Sequence, residues 1–268
     1  MTTLAATQPA TAVGTRDATG IPMSRLIRVE LRKLVDTRAG FWLAASIGVL
    51  SVVVIGAMLI ANRNDLTALS FGQIFGMVNI PLGVILPVMA ILLVTGEWSQ
   101  RSALTTFTME PRRERIVIAK LATAVIASGI AVAVALALGA VGNVIAGLVF
   151  ADPAGAWSVT AAGLVNSFVL QLFGLLLGFG FAALFLNTPG AIVGYFVLPT
   201  ALTLVSQLVP WFKDHLGTWI DIGTTNAPFQ SEHWASGGDW GKLLVSAVLW
   251  IAIPMAFGIM RIMRGEIK

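Results

Sequence analysis

Residues 159–209, VTAAGLVNSFVLQLFGLLLGFGFAALFLNTPGAIVGYFVLPTALTLVSQLV, decide the fold. They contain no Asp, Glu, Lys, Arg or His, and no charged residue occurs anywhere between Asp152 and Lys213. A bilayer core is crossed by ~20 consecutive apolar helical residues. This stretch is long enough for two crossings, and Asn187-Thr188-Pro189-Gly190 divides it with a turn sequence that forces a tight hairpin.

The same reading extends outward in both directions. Apolar segments lie near 41–61, 71–95, 120–150, 159–186, 189–209 and 243–262, each long enough to span. The third and fourth are longer than a bilayer core needs, so they are expected to tilt or protrude. Composition agrees: hydrophobic residues make up 57% and charged residues 11%, against about 25% charged in a soluble domain. The mean hydropathy is +0.87. So much apolar surface excludes a cytosolic enzyme and a disordered chain. The expected fold is an all-α polytopic membrane protein with six transmembrane helices over residues 39–268.

Two segments precede the spans. Residues 1–21 are rich in Thr and Ala and lack the basic start and continuous apolar run of a signal peptide, so a disordered tail is expected. Residues 22–38, PMSRLIRVELRKLVDTR, place Met23, Ile27, Leu31 and Leu34 at helical spacing, with Arg25, Arg28, Arg32 and Asp36 largely opposite. Val29 and Glu30 blur that division. This pattern predicts an amphipathic helix lying on a membrane surface, with Pro22 opening its first turn.

Charge placement sets the orientation. With the N-terminus inside, 14 of the 17 basic residues fall in inside segments, from Arg16 to Lys268, and only Arg63, Lys213 and Lys242 fall outside. The positive-inside rule then makes both termini cytoplasmic. It also accounts for the pI near 10.0 without a nucleic-acid partner.

Several chemistries are missing from the sequence. There is no cysteine, which excludes disulfides and Cys-ligated metals. The only histidines, His215 and His233, fall in the last outside loop and form no H-E-x-x-H zinc motif, so no metal site is expected. Gly241-Lys242 is no phosphate loop, since Ser236 stands where the motif begins with Gly and Leu243 follows the lysine. The chain is therefore expected to bind no cofactor and to hydrolyse no ATP itself. Proton-coupled carriers use buried carboxylates or histidines as relays, and here only Glu97 and Lys120 sit at span edges. A sodium-coupled carrier using backbone carbonyls stays open.

Neutral polar residues do occur in the spans: Gln73, Asn79, Asn143, Asn166, Gln171 and Gln207. Hydrogen bonding between helices is the favoured role. Asn79, Gln171 and Gln207 are the candidates for a substrate path. The glycine pairs Gly72/Gly76, Gly174/Gly178 and Gly190/Gly194 permit close helix approach, within the chain or between copies.

The stretch between spans two and three holds the most distinctive pattern. Glu97 closes span two in Gly96-Glu97-Trp98-Ser99-Gln100-Arg101, and Arg101 lies one helical turn on, at pairing distance. Pro111 opens the next helix, followed by Arg112, Arg113, Glu114 and Arg115, and Lys120-Leu121 enters span three. This resembles the type-2 ABC exporter permeases, in which a glutamate ends span two, a short cytoplasmic helix follows, and Pro-x-Arg leads to an entering Lys-Leu. Glu30-Leu31-Arg32-Lys33-Leu34 is similar to that family's N-terminal interfacial helix. The resemblance covers roughly residues 23–268.

The resemblance implies a membrane subunit in the plasma membrane that pairs with a second permease copy, most simply as a homodimer. A separate ABC ATPase subunit carrying ATP and Mg would drive it. Glu97, Arg101, Pro111, Arg112, Arg113 and Arg115 would couple to that ATPase, together with Arg28, Glu30, Arg32 and Lys33 of the interfacial helix. Residues 210–241 hold Trp211, Trp219, Trp234 and Trp240. Trp211 and Trp219 fall at near-helical spacing with Phe212, Leu216 and Ile220, and are candidates for an outside cap or for an interfacial anchor belt. Two alternatives remain at this stage: a self-contained secondary carrier or channel, and a non-transporting membrane scaffold.

Overall fold

A computed structural model of the chain describes residues 21–63, 69–99, 108–110, 112–150 and 157–264. The tail before residue 21, Arg101 and Pro111 lie outside the described residues. Helix α1 (Met23–Asp36) precedes α2 (Arg38–Ala61), α3 (Phe71–Ser99), α4 (Arg113–Phe150), α5 (Ala161–Phe185) and α6 (Thr188–Leu208). Short helical turns cover 210–230. Helix α7 (Gly237–Ala247) then runs through a π-helical turn, Val248–Ala252, into α8 (Ile253–Arg264). No strand occurs among the described residues. Six helical stretches are long and apolar enough to cross a bilayer: α2, α3, α4, α5, α6 and the joined α7–α8. The chain is a multi-pass membrane protein.

The helix ends have local causes. Thr37, Thr160 and Asn187 cap α2, α5 and α6 by accepting hydrogen bonds from the backbone N–H of Gly40, Gly163 and Gly190. Ser236 and Asp239 form a reciprocal capping box that starts α7 at Gly237, six residues ahead of where apolarity alone would start the span. Helix α4 likewise begins at Arg113, well before the apolar run, because Glu114 suits a first helical turn and no breaker intervenes. The α5–α6 hairpin is tight: Leu186 takes a left-handed conformation (φ 51°) and Asn187 already caps the next helix. Pro81 and Pro87 lie within α3 without ending it, and the π-helical turn ends at Ala252, two residues before Pro254. In each case the prolyl ring leaves one backbone carbonyl without its helical N–H partner.

Helices α3 and α5 form the centre of the bundle. Of the most apolar window of α3, 61% is buried, against 17% for α6. One core cluster joins Ile47, Ile55, Ile74, Val78, Leu82, Ala127, Ala131 and Leu175 from α2, α3, α4 and α5. A second gathers Ile91, Val94, Phe179, Ala182 and Ile262 nearer the end that carries Glu97. The outer helices leave Val49, Val52, Val53, Val193, Val197 and Leu204 exposed on the chain alone. In a membrane protein these surfaces meet lipid or other subunits instead of water.

The close seams are made by glycine. A methyl group added at Gly178 of α5 would lie 2.7 Å from the Pro87 carbonyl oxygen of α3, and one added at Gly258 of α8 would lie 2.5 Å from the backbone of Ala183. Gly174 also packs on Pro87, and Gly194 packs on Phe181 and Phe185, so both glycine pairs serve packing within the chain. By contrast, a methyl at Gly56 on α2 meets nothing within 4 Å. Gly178→Ala and Gly258→Ala should each destabilise the fold by roughly 1–3 kcal/mol through overpacking. Gly56→Ala should be neutral or gain up to about 1 kcal/mol from helix propensity. Apparent unfolding temperatures in mild detergent check this ordering.

Candidate functional site

Two polar features occupy opposite ends of α3. The first is a cluster of four charges. Lys120 Nζ of α4 donates to Glu30 Oε2 of α1 at 2.5 Å, to Glu97 Oε1 of α3 at 3.0 Å and to the Leu93 carbonyl at 3.1 Å. Lys33 Nζ of α1 donates to Glu30 Oε1 at 2.6 Å and to Glu97 Oε1 at 2.8 Å. Glu30, Glu97 and Lys120 are 4%, 8% and 5% exposed. Two carboxylates and two ammonium groups sum to zero charge, which is the condition under which such groups tolerate burial. Burial pulls the Lys33 ammonium toward losing its proton, but the adjacent Glu30 and Glu97 carboxylates outweigh that and raise its pKa above the ordinary lysine value.

The cluster binds three elements that the helical backbone alone would leave independent. Arginines reinforce the same end. Arg113 donates to the Ile262 carbonyl at 2.6 Å, and Arg261 donates to the Leu184 carbonyl at 2.9 Å. Both satisfy carbonyls in the last turns of helices, where the backbone lacks its own donors. Arg115 pairs with Glu110 at 2.7 Å and donates to the Ile21 carbonyl ahead of α1. Arg28, Arg32 and Arg112 are exposed. Thr95 and Thr188 share a hydroxyl hydrogen bond at 2.7 Å, tying this end of α3 to the start of α6.

The second feature is a cavity of about 810 Å³ between α3, α5 and α6, roofed by the segment 222–232. Asn79 and Gln171 meet there: Gln171 Nε2 donates to Asn79 Oδ1 at 3.1 Å. Gln73, Tyr195 and Phe229 also line it. Its roof is held firmly. Asn166 of α5 donates to the Ser231 and His233 carbonyls at 3.0 and 2.8 Å, and Thr160 donates to the Glu232 carbonyl at 2.6 Å. Phe229 is buried edge-on against Trp240.

Of the residues singled out by sequence, Asn79 and Gln171 come together in the cavity, whereas Gln207 is exposed on α6 and does not line it. Trp211 and Trp219 are exposed on the helical turns of 210–220, away from the cavity lining. Glu97 meets Lys33 and Lys120, and its expected partner Arg101 is outside the described residues, as is Pro111. Asn143 is buried in α4 with neither side-chain atom hydrogen-bonded. Among the described residues, no three His, Cys, Asp or Glu side chains converge as metal ligands.

One candidate takes a partner that its local sequence does not reveal, and one further contributor is absent from the sequence candidates. Glu30 interrupts the apolar face of α1, yet it is the one fully buried residue of that helix because it meets Lys120. Glu232 lies on the cavity wall, and nothing in its local sequence separates it from the other acidic residues of 210–241. The chain matches no protein-family model, no curated protein and no solved structure.

If net neutrality is what keeps the cluster buried, Lys120→Met should cost about 3–5 kcal/mol, since it leaves a surplus buried carboxylate. Adding Glu30→Gln restores zero net charge and should recover a large part of that loss. Equal unfolding temperatures for the single and double variants would show that the charges act independently.

Proposed function

We propose that the chain is the permease subunit of an ABC exporter. It would work in the plasma membrane as a pair of copies, with both termini in the cytoplasm, α1 lying on the membrane surface, and a separate ATPase subunit supplying ATP and Mg. The resemblance of the segment from Glu97 to Leu121 supports this reading. The observation that carries it is the four-charge cluster, because it ties α1 to the two helices that flank residues 100–112.

In this reading the partner's ATPase closure pushes on that flanked segment and on α1. A push on either reaches Glu97 and Lys120 together, since the same two lysines bridge both carboxylates. Helix α3 carries the displacement onward. Glu97 and Asn79 are 18 residues apart on one continuous helix, which corresponds to about 27 Å. Pro81 and Pro87 lie between them, and carbonyls freed from the helical ladder allow α3 to bend there without breaking it. The cavity end would thus open or close in step with the charged end. The transported molecule crosses by a change of shape, and no charged relay within the spans is required.

Affinity purification of the intact chain from its native membrane in mild detergent should recover an ATP-hydrolysing subunit in stoichiometric amount. Arg112→Glu should weaken that association, because like charges oppose docking across an interface. The variant chain itself should stay monodisperse, since Arg112 is exposed. A chain that purifies alone and moves solute in proteoliposomes without ATP would instead be a self-contained carrier.

A further inference from the structure

The cavity has an uneven chemistry. Glu232 is the one charged side chain among the described residues that line it, and no lysine, arginine or histidine shares the wall. No hydrogen bond or ion pair to the Glu232 carboxylate occurs among the described residues. Its carboxylate sits directly over Gly72 in the first turn of α3, a position that any larger residue would fill.

The neutral groups lean the same way. Gln171 spends its N–H on Asn79, and its Oε1 is buried without a partner. Asn226 Oδ1 is also buried and unpartnered. The fully buried side-chain atoms on the wall that lack a partner are therefore both acceptors, and buried acceptors favour a ligand that brings donors. The rest of the wall is apolar and aromatic: Phe75, Phe173, Tyr195 and Phe229. Aromatic faces attract cations as well as apolar groups. The volume of about 810 Å³ suits a drug-sized organic molecule. The roof segment that carries Glu232 is fixed by Asn166 and Thr160, so the carboxylate is placed before a ligand arrives.

We infer that this cavity binds an amphipathic organic cation, its N–H-bearing charged end at Glu232, with the acceptors of Gln171 and Asn226 on the same wall and its apolar body among the aromatic side chains. As a substrate class the inference rests on the transport reading; as a binding site it stands without it.

The test uses the full chain in detergent, with any co-purifying subunit, and titrates ethidium, a planar cation with free amino groups. Anilinonaphthalene sulfonate, an anion of comparable size, is the control. Wild type should bind ethidium saturably and more tightly than the anion. Glu232→Gln, which keeps size and shape, should weaken ethidium roughly tenfold or more and leave the anion unaffected. Glu232→Asp should restore part of the affinity. Gly76→Leu places a side chain into open space on the cavity wall and should weaken both probes. Ethidium binding that is indifferent to Glu232→Gln, or anion binding as tight as cation binding, overturns the site. Charge-dependent binding without ATP-driven movement of ethidium into inside-out vesicles would leave the site standing and remove the exporter reading.

Discussion

The net-neutral cluster of Glu30, Lys33, Glu97 and Lys120 is the constraint on which the rest of the arrangement depends. A lone buried charge at a membrane edge is costly, and it is tolerated when an opposite charge and further hydrogen bonds meet it. Each carboxylate here meets both lysines, and Lys120 also reaches the Leu93 carbonyl. No single member can leave without stranding the others. That interdependence fixes α1 against the bundle, a helix of only 14 residues whose one buried residue is Glu30.

Packing completes what the charges begin. Inside a bilayer, apolar burial does not drive helices together, because lipid is as apolar as leucine. Close seams and shared hydrogen bonds take over. Gly178 admits the Pro87 carbonyl and Gly258 admits the Ala183 backbone, so α3, α5 and α8 approach more closely than larger side chains would allow. The same two central helices separate at their far end and enclose the cavity. One pair of helices therefore carries both a close backbone contact and the cavity, and α3 links the charged end to the polar wall.

How much of this the sequence reveals depends on the range of the physics. The spans are legible because a bilayer imposes one length and one chemistry on each. The α5–α6 hairpin is legible because Asn187-Thr188-Pro189-Gly190 acts within four residues, whereas the start of α7 at Gly237, set by the Ser236–Asp239 capping box, lies ahead of the apolar run 243–262 by which the sequence marks the span. The charge cluster is not, because its partners lie 64 and 90 residues apart. Local spacing directs Glu97 toward Arg101 and makes Glu30 look like a flaw in an apolar face. Asn79 and Gln171 stand out as polar residues in apolar runs, but only the fold shows that they meet and that Gln207 does not join them. Likewise the tryptophans dominate residues 210–241 by composition, while the side chains that roof the cavity, Phe229 and Glu232, carry no distinctive pattern.

The most direct test of the account asks whether the cluster holds α1 in place. The chain has no cysteine, so Arg32→Cys and Ser99→Cys provide two unique spin-label sites, both exposed. Pulsed dipolar spectroscopy should give one narrow distance distribution between α1 and the end of α3. Glu30→Gln with Lys33→Gln removes the α1 half of the cluster and leaves the Glu97–Lys120 pair of the bundle intact. The distribution should then broaden and shift while the protein stays folded. An unchanged narrow distribution would mean that something other than the four charges positions α1, and the proposed line of coupling through Glu97 would fall with it.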